Sequence, residues 1–334
     1  MASRRPSLSV VITTYTKDRL PDVLDVLGSL KAQTCSPAEI VFVAEGDRGL
    51  CTTVSGYARE QGLHNVVIVF NEGERGLSAA RNLGAQQARG EIIAFVDDDV
   101  VLSPHWAEEV VKAFADDSVI GVTGPAYPLW EDPGMSWFPE ELDWLISCTR
   151  WNGWNQVREV RNGWGMNMSF RKSALDLAGG FRSEFGLHNN ARSSWYDPPS
   201  EDVDLSIRVR RLTGGRILYN PGVKIHAKVS RRRLTIRYIM QRSFSVGYQR
   251  RRILELYPEE GEGTQALAQE HALRDRILRR LVPRIIKGIF IQPSVAWRQL
   301  PITLVSLSFV LLGYYAPLLL PRMRGPRPQP RRPA

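Results

Sequence analysis

A chain of 334 residues, 43% hydrophobic and 24% charged, has the composition of a globular protein with room for one large domain or two smaller ones, and is neither collagen-like nor low in complexity. Cys35, Cys51 and Cys148 form no C-x-x-C pair and leave an odd thiol, which argues against a disulfide framework or structural zinc site and for a reducing compartment. The net charge of +9 equals the excess in one stretch, Lys228 to Arg252, which holds nine Lys and Arg and no acid; it marks either an anionic partner (phosphate, lipid head group or nucleic acid) or a solvated helix face.

Residues 1–7 read as a flexible N-terminus. The apolar run that follows, "LSVVITTY" (8–15), is too short and too β-branched for a signal peptide and reads as a first strand, so the folded part is expected not to be exported. "EIVFVAE" (39–45), "NVVIVFN" (65–71) and "EIIAFVD" (91–97) are further near-continuous apolar strands, alternating with the helical patterns "LPDVLDVLGSLKAQ", "CTTVSGYARE" and "GLSAARNLGAQQAR". This order predicts an α/β fold with a Rossmann-like, mostly parallel sheet flanked by helices. Ligands of such sheets bind beyond the carboxyl ends of the strands, where Thr13, Tyr15, Glu45, Asn71 and Asp97 fall.

From Ala126 to Trp164 the period is lost, and six of the nine tryptophans lie within residues 130–164, so the excursion is a binding lid or a packed inserted subdomain. "NMSFRKSALDLAGGF" (167–181) predicts a strand and then a helix ended by Gly179-Gly180. A polar loop (186–200) leads into "EDVDLSIRVRRLTGG", a helix whose opening acids Glu201, Asp202 and Asp204 suit the helix dipole even without any chemical task. "RILYNPGVKIHAK" returns a short strand or a pair. Residues 8–250 thus form the main domain, in halves 8–125 and 126–250, with 251–300 an amphipathic helical linker.

Ile302 to Leu320 contains no charge and, at about 1.5 Å per helical residue, nearly matches a hydrocarbon layer of roughly 30 Å. Residues 301–321 are therefore expected to associate with a membrane, and 322–334 to form a basic disordered tail. Arg279, Arg280, Arg284, Lys287 and Arg298 before this run, like the tail after it, favour the cytoplasmic side, so a re-entrant or interfacial segment competes with a simple span.

The chemistry concentrates in "EIIAFVDDDVVL" (91–102). Three adjacent carboxylates at the end of a buried strand repel one another and resist leaving water unless a cation or a network of hydrogen-bond donors compensates them. Alternation points Asp97 and Asp99 the same way, which suits Mg2+ or Mn2+ bound together with a diphosphate. Arg81, in the first turns of its helix, is placed to meet a phosphate or brace the aspartates.

"GLSAARNLGAQQARGEIIAFVDDD" with "SVVITTY", followed in order by "RNGWGMNMSFRKSALDLAGGF", "SEDVDLSIRV" and "ILYNPGVKIHAK", resembles the family 2 glycosyltransferases, which have the glycosyltransferase-A fold. "WFPEELDW" and "RRLTIRYIMQRSFSVG" resemble the dolichyl-phosphate glucosyl/glucuronosyltransferase-like subset. The resemblance covers roughly residues 8–250 and implies an inverting transferase that uses a nucleotide sugar. It implies that Asp97 and Asp99 hold the metal and the diphosphate, with Asp98 beside them, and that Asp202, in Glu201-Asp202, is the catalytic base. It implies a metal position at His226, where a packed histidine is the plain alternative, and a diphosphate contact at Arg242, although "MQRSF" departs from the family's Gln-Arg-aromatic pattern. Trp164, Gly165, Asn167 and Met168 match a segment near donor sugar and acceptor, with core packing the alternative for Trp164 and Met168.

The family's base-reading aspartate is replaced here by "VFVAEGD", where Glu45, or less closely Asp47, substitutes, and a UDP-sugar is the expected donor. The expected acceptor is lipid-linked or a cell-surface glycan precursor, at the cytoplasmic side of the cell membrane, with no nucleic acid. Two other readings compete: a sugar nucleotidyltransferase, which would not need Glu201-Asp202, and a nucleic-acid binder using residues 228–252, which leaves the aspartates unexplained.

Overall fold

The computed structural model describes residues 5–183, 185, 201–258 and 273–319. Expectations for residues 1–4, the loop 186–200, residues 259–272 of the linker and the tail 322–334 lie outside the described residues. The four apolar runs fold as β1 (Leu8–Thr14), β2 (Glu39–Ala44), β3 (Val66–Phe70) and β4 (Ile92–Val96), joined by α1 (Leu20–Lys31), α2 (Arg48–Glu60) and α3 (Leu77–Gln87). All neighbouring pairs among these strands are parallel.

Both faces of the sheet are covered, which is why the strands lack alternation. Val10 and Ile12 of β1 pack with Val23, Val26 and Leu27 of α1, while Val11 packs on the other face with Val41, Phe95 and Ala80 of α3.

The chain continues through β5 (Val100–Leu102), α4 (Trp106–Ala113), β6 (Val119–Thr123), β7 (Ala126–Trp130), β8 (Arg158–Val160), β9 (Asn167–Arg171), α5 (Lys172–Ala178), α6 (Glu201–Thr213), β10 (Arg216–Tyr219) and β11 (Ile225–Val229). The large sheet has the order β3-β2-β1-β4-β9-β6-β10-β8, and β5-β11-β7 form a small one. β9 is antiparallel to both β4 and β6, so β6 and β10 run with the first four strands and the sheet stays mostly parallel. α5 ends where Gly179 takes φ 70°, a left-handed conformation that glycine adopts without strain.

The tryptophan-rich excursion is packed: it folds into β7, β8 and short 3-10 turns whose Leu142, Leu145 and Ile146 are buried in the main core. Its Glu141 receives a hydrogen bond from Arg284 at 2.6 Å, which ties it to the C-terminal helices.

Those helices are α7 (Ile236–Leu256), a π-helical turn (Ile277–Leu281), α8 (Val282–Ile291) and α9 (Pro293–Leu319). α9 is long and apolar enough to cross a membrane by length and composition. It crosses α7 at two glycines: a Cβ on Gly247 would lie 2.0 Å from the Val310 carbonyl oxygen, and one on Gly313 2.0 Å from that of Phe244. Neither backbone has room for a side chain, so Gly313→Val must force the helices apart. We expect it to cost about 1–3 kcal/mol, in the range of overpacked cores, read as a lower urea midpoint; an unchanged midpoint would mean the helices do not meet there.

The basic stretch 228–252 lies mainly on β11 and α7, and much of its charge is neutralised within the fold. Lys228 pairs with Asp22 and Asp25, Arg231 with Asp132, Arg233 with Asp99, and Arg251 and Arg252 with Glu255.

Candidate active site

Arg81 is the hub. Carried on α3 at 2% exposure, it donates from Nη1 to Glu201 Oε1 at 2.7 Å, and from Nη2 to Asp97 Oδ1 and the Gly165 carbonyl oxygen, both at 2.9 Å. One planar guanidinium thus joins the end of β4, the start of α6 and the turn before β9. Burial raises the pKa of Asp97, with Arg81 opposing and Asp99 and Glu201 adding to the rise. Burial likewise raises that of Glu201, again opposed by Arg81 and reinforced by Asp202.

Asp202 adjoins this hub. Its Oδ2 accepts from the Gly165 amide at 3.0 Å and its Oδ1 from the Val203 amide at 2.8 Å. The residue lines a cavity of about 540 Å3, whose walls include Trp144, Trp151, Trp164 and Arg242.

The other aspartates face different partners. Thr14 Oγ1 donates to Asp98 Oδ2 at 2.6 Å, and Arg19 approaches Asp98 Oδ1 at 4.0 Å. Burial outweighs both, and the Asp98 carboxyl is pushed up to about 7. Asp99 Oδ2 accepts from Arg19 Nη1 at 2.9 Å and Arg233 Nη2 at 2.7 Å.

A divalent cation fits this crevice in kind: Asp97 keeps 36% of its side chain exposed, and Asp98 beside it is poorly compensated. In number the ligands fall short. Among the described residues no three His, Cys, Asp or Glu side chains are gathered around one point, so Asp97, Asp99 and His226 form no ready-made cage. His226 instead stacks near Tyr127, with ring centroids 5.9 Å apart, and burial and then Lys224 lower its pKa. A cation held here would need further ligands from outside the chain.

At the strand ends, Tyr15 is exposed and Thr13 half-buried. Glu45 is buried, and its Oε2 accepts from Asn71 Nδ2 at 3.1 Å and the Gly76 amide at 3.3 Å, so both predicted residues shape the loop that leads into α3. Asp47 caps α2 through the Gly49 amide.

Of the "GxNMSFR" segment, Gly165 and Trp164 belong to the site, Trp164 also packing edge-on to Tyr219. Asn167 and Met168 sit in the core. The Asn167 side chain accepts from Trp106 Nε1 and donates to the Val223 carbonyl oxygen, which pins the strand behind the site. Arg19, Arg233 and Thr14 were not singled out by the sequence; Arg19 follows the first strand in a βα turn, and that position was the available signal.

The family model "Glycosyl transferase family 2" matches residues 9–176. A glucosyl-dolichyl phosphate glucuronosyltransferase of Haloferax volcanii is 30% identical over 318 residues, 95% of this chain and 97% of its own. The chain belongs to glycosyltransferase family 2. A succinoglycan biosynthesis protein, ExoM of Rhizobium meliloti, is 22% identical over 252 residues, 74% of this chain and 75% of its own. Among solved structures, the mannosyltransferase PcManGT of Pyrobaculum calidifontis, in complex with GDP-Man and Mn2+, superposes with a TM-score of 0.60 at 17% identity, covering 94% of this chain and 88% of its own. The fold is the glycosyltransferase-A fold, as the sequence resemblance implied, and the family 2 chain is a glycosyltransferase.

Proposed function

We propose that this glycosyltransferase is inverting and cation-dependent, and moves a sugar from a nucleotide sugar, a UDP-sugar by the expectation at Glu45, to a hydroxyl of a lipid-linked glycan precursor on the cytoplasmic side of the cell membrane. The observation that carries the reading is Asp202: it opens onto the cavity while its neighbour Glu201 is bridged through Arg81 to Asp97. The dolichyl phosphate in the name of the Haloferax volcanii relative and the long apolar α9 support a lipid-linked acceptor.

In this mechanism the acceptor hydroxyl attacks the anomeric carbon from the side of Asp202, whose carboxylate takes the hydroxyl proton as the new bond forms. The bond to the nucleoside diphosphate breaks on the opposite side, in one displacement that inverts the sugar. Gly165 N–H and the start of α6 hold the Asp202 carboxylate in place. Arg81 opposes the cost of charge on Glu201 and Asp97 and fixes both beside it. Asp97 and Asp99 would hold Mg2+ or Mn2+ together with the diphosphate, and the cation would supply charge neutralisation at the leaving group. Arg19 and Arg233, resting on Asp99, add cationic charge to the same crevice.

The test is thermal shift with a panel of nucleoside diphosphates and nucleotide sugars, with Mn2+, Mg2+ or chelator. Because the aspartates alone are too few for a cage, the metal alone and the nucleotide alone should shift the midpoint little. Together, at about a hundredfold excess over Kd, they should raise it by a few degrees. Folded protein that shows no shift with any nucleotide, with or without metal, would sink the reading.

A further inference from the structure

Away from Asp202, a second cavity of about 450 Å3 opens between the tryptophan-rich excursion and the corner where α8 meets α9. Its wall carries three arginines, Arg150, Arg284 and Arg298, together with Gln292, Ser136 and Trp137. Arg150 is spent on the buried Asp143 through Nε and Nη2. Arg284 gives Nη2 to the buried Glu141, but its side chain is half-exposed and keeps Nε and Nη1 for another partner. Arg298 pairs with no carboxylate among the described residues; it is exposed, and its guanidinium lies over the Trp137 ring at 5.9 Å. Glu140, the acid on this wall among the described residues, is taken by Arg276 at 3.5 Å. The pocket therefore presents free N–H donors and one uncompensated positive charge, which suits a monoanion with several acceptor oxygens.

Apolar side chains flank these polar groups. Phe290 and Ile291 directly precede Gln292, Trp297 directly precedes Arg298, and all three are exposed, Phe290 at 86% and Trp297 at 63%. Trp297 also begins a row spaced about two helical turns apart, Trp297, Leu304, Leu311 and Leu318, that stays exposed along α9. The opposite face, with Gln299, Thr303, Ser306 and Gly313, is buried against the protein. α9 thus offers lipid a stripe rather than its whole circumference. It packs on α7, whose Arg237, Arg242, Arg250 and Arg251 would be carried into hydrocarbon if the pair spanned a bilayer. An apolar stripe with an arginine pocket at one end is the pattern of a helix lying in the interface, its stripe among acyl chains and its pocket at headgroup depth. The exposed Arg279, Arg280 and Lys287 add attraction to an anionic leaflet.

We propose that this pocket binds the phosphodiester of an anionic glycerophospholipid while α9 lies in the leaflet on its open stripe. Arg298 and Arg284 hold the phosphate oxygens, Gln292 and Ser136 meet the polar headgroup, and the acyl chains run past Phe290 and Trp297. A lipid so held belongs to the membrane and is not the acceptor, so the site stands whatever hydroxyl the enzyme glycosylates. The proposal builds on the membrane location given above, and its test separates the two.

The experiment titrates the full chain with dihexanoyl phosphatidylglycerol below its micelle concentration and reads the heat of binding, with dihexanoyl phosphatidylcholine and inorganic phosphate as comparisons. Phosphatidylglycerol should bind saturably, one per chain, and Arg298→Gln should weaken it at least about tenfold, the effect of losing a hydrogen bond to a charged group. Lys287→Gln, an equal loss of charge outside the pocket, should change it by less than about twofold at physiological salt. No saturable binding, equal binding of phosphatidylcholine or inorganic phosphate, or an Arg298→Gln variant that binds like the wild type overturns the site. Sedimentation with vesicles supplies the other arm. A chain that sediments equally with phosphatidylglycerol and phosphatidylcholine vesicles keeps the membrane location and loses the headgroup site; one that sediments with neither loses both. A lipid-free chain that dimerises, with the dimer abolished by Trp297→Ser, assigns the corner to a second copy and overturns the lipid.

Discussion

Asp202→Asn should lower kcat for sugar transfer roughly a thousandfold, within the usual span of general-base catalysis, while the nucleotide sugar still binds. The amide keeps the shape of the carboxylate but has one oxygen where Asp202 uses two, so it can accept from only one of the Gly165 and Val203 amides; the loss of one such bond, about 1 kcal/mol, should leave the start of α6 in place. What it loses is the ability to take a proton from the acceptor hydroxyl. The two effects separate in the kinetics: kcat collapses, the KM for the donor moves little, and the unfolding midpoint stays near that of the wild type. Turnover close to wild type would remove Asp202 from the chemistry.

Arg81→Met should be the most destabilising single change in the site. The side chain is 3% exposed, and its removal leaves Asp97 and Glu201 facing the same space without their shared cation. Breaking a buried ion pair by removing one partner costs about 3–5 kcal/mol. The pH dependence has a definite sign. Burial already raises both carboxyl pKa values in the folded protein, and loss of Arg81 raises them further. A group whose folded pKa lies above its unfolded value stabilises the fold at low pH, and that contribution fades as pH rises through the folded value. The deficit of the variant should therefore be largest at neutral pH and narrow as the pH falls toward the ordinary carboxylate range. Urea midpoints at several pH values measure this; a deficit independent of pH would mean the carboxylates are not the cause. Arg81→Lys should recover part of the stability and little activity, because one ammonium lacks the planar fork that serves Glu201, Asp97 and the Gly165 carbonyl oxygen together.

The first four strands were legible because a sheet buried on both faces leaves a plain signature of apolar runs separated by helical periods. The aspartates stood out for a physical reason: the cost of placing three acids at the end of such a run. Their partners were not legible. Arg19 lies 80 positions from Asp99 and Arg233 lies 134 positions away, and nothing in "RRRL" tells which of three arginines turns inward. Asn167 and Met168 read as site residues from the resemblance of their segment to a family motif; which of its side chains face the core is decided by strand alternation and the reach of Trp106. The cavity was invisible for a similar reason. Its apolar wall is assembled from residues 144–151, 246–253, 273–278 and 307–311, each of which looks locally like the core face of any helix.

The most direct test of the account is the stereochemistry of a single transfer, read by NMR at the anomeric centre of the glycosylated acceptor formed from a nucleotide sugar of known configuration. One displacement driven by Asp202 predicts a product of opposite configuration to the donor. A product that retains the donor's configuration would require a second nucleophilic step, and would contradict the role given to Asp202.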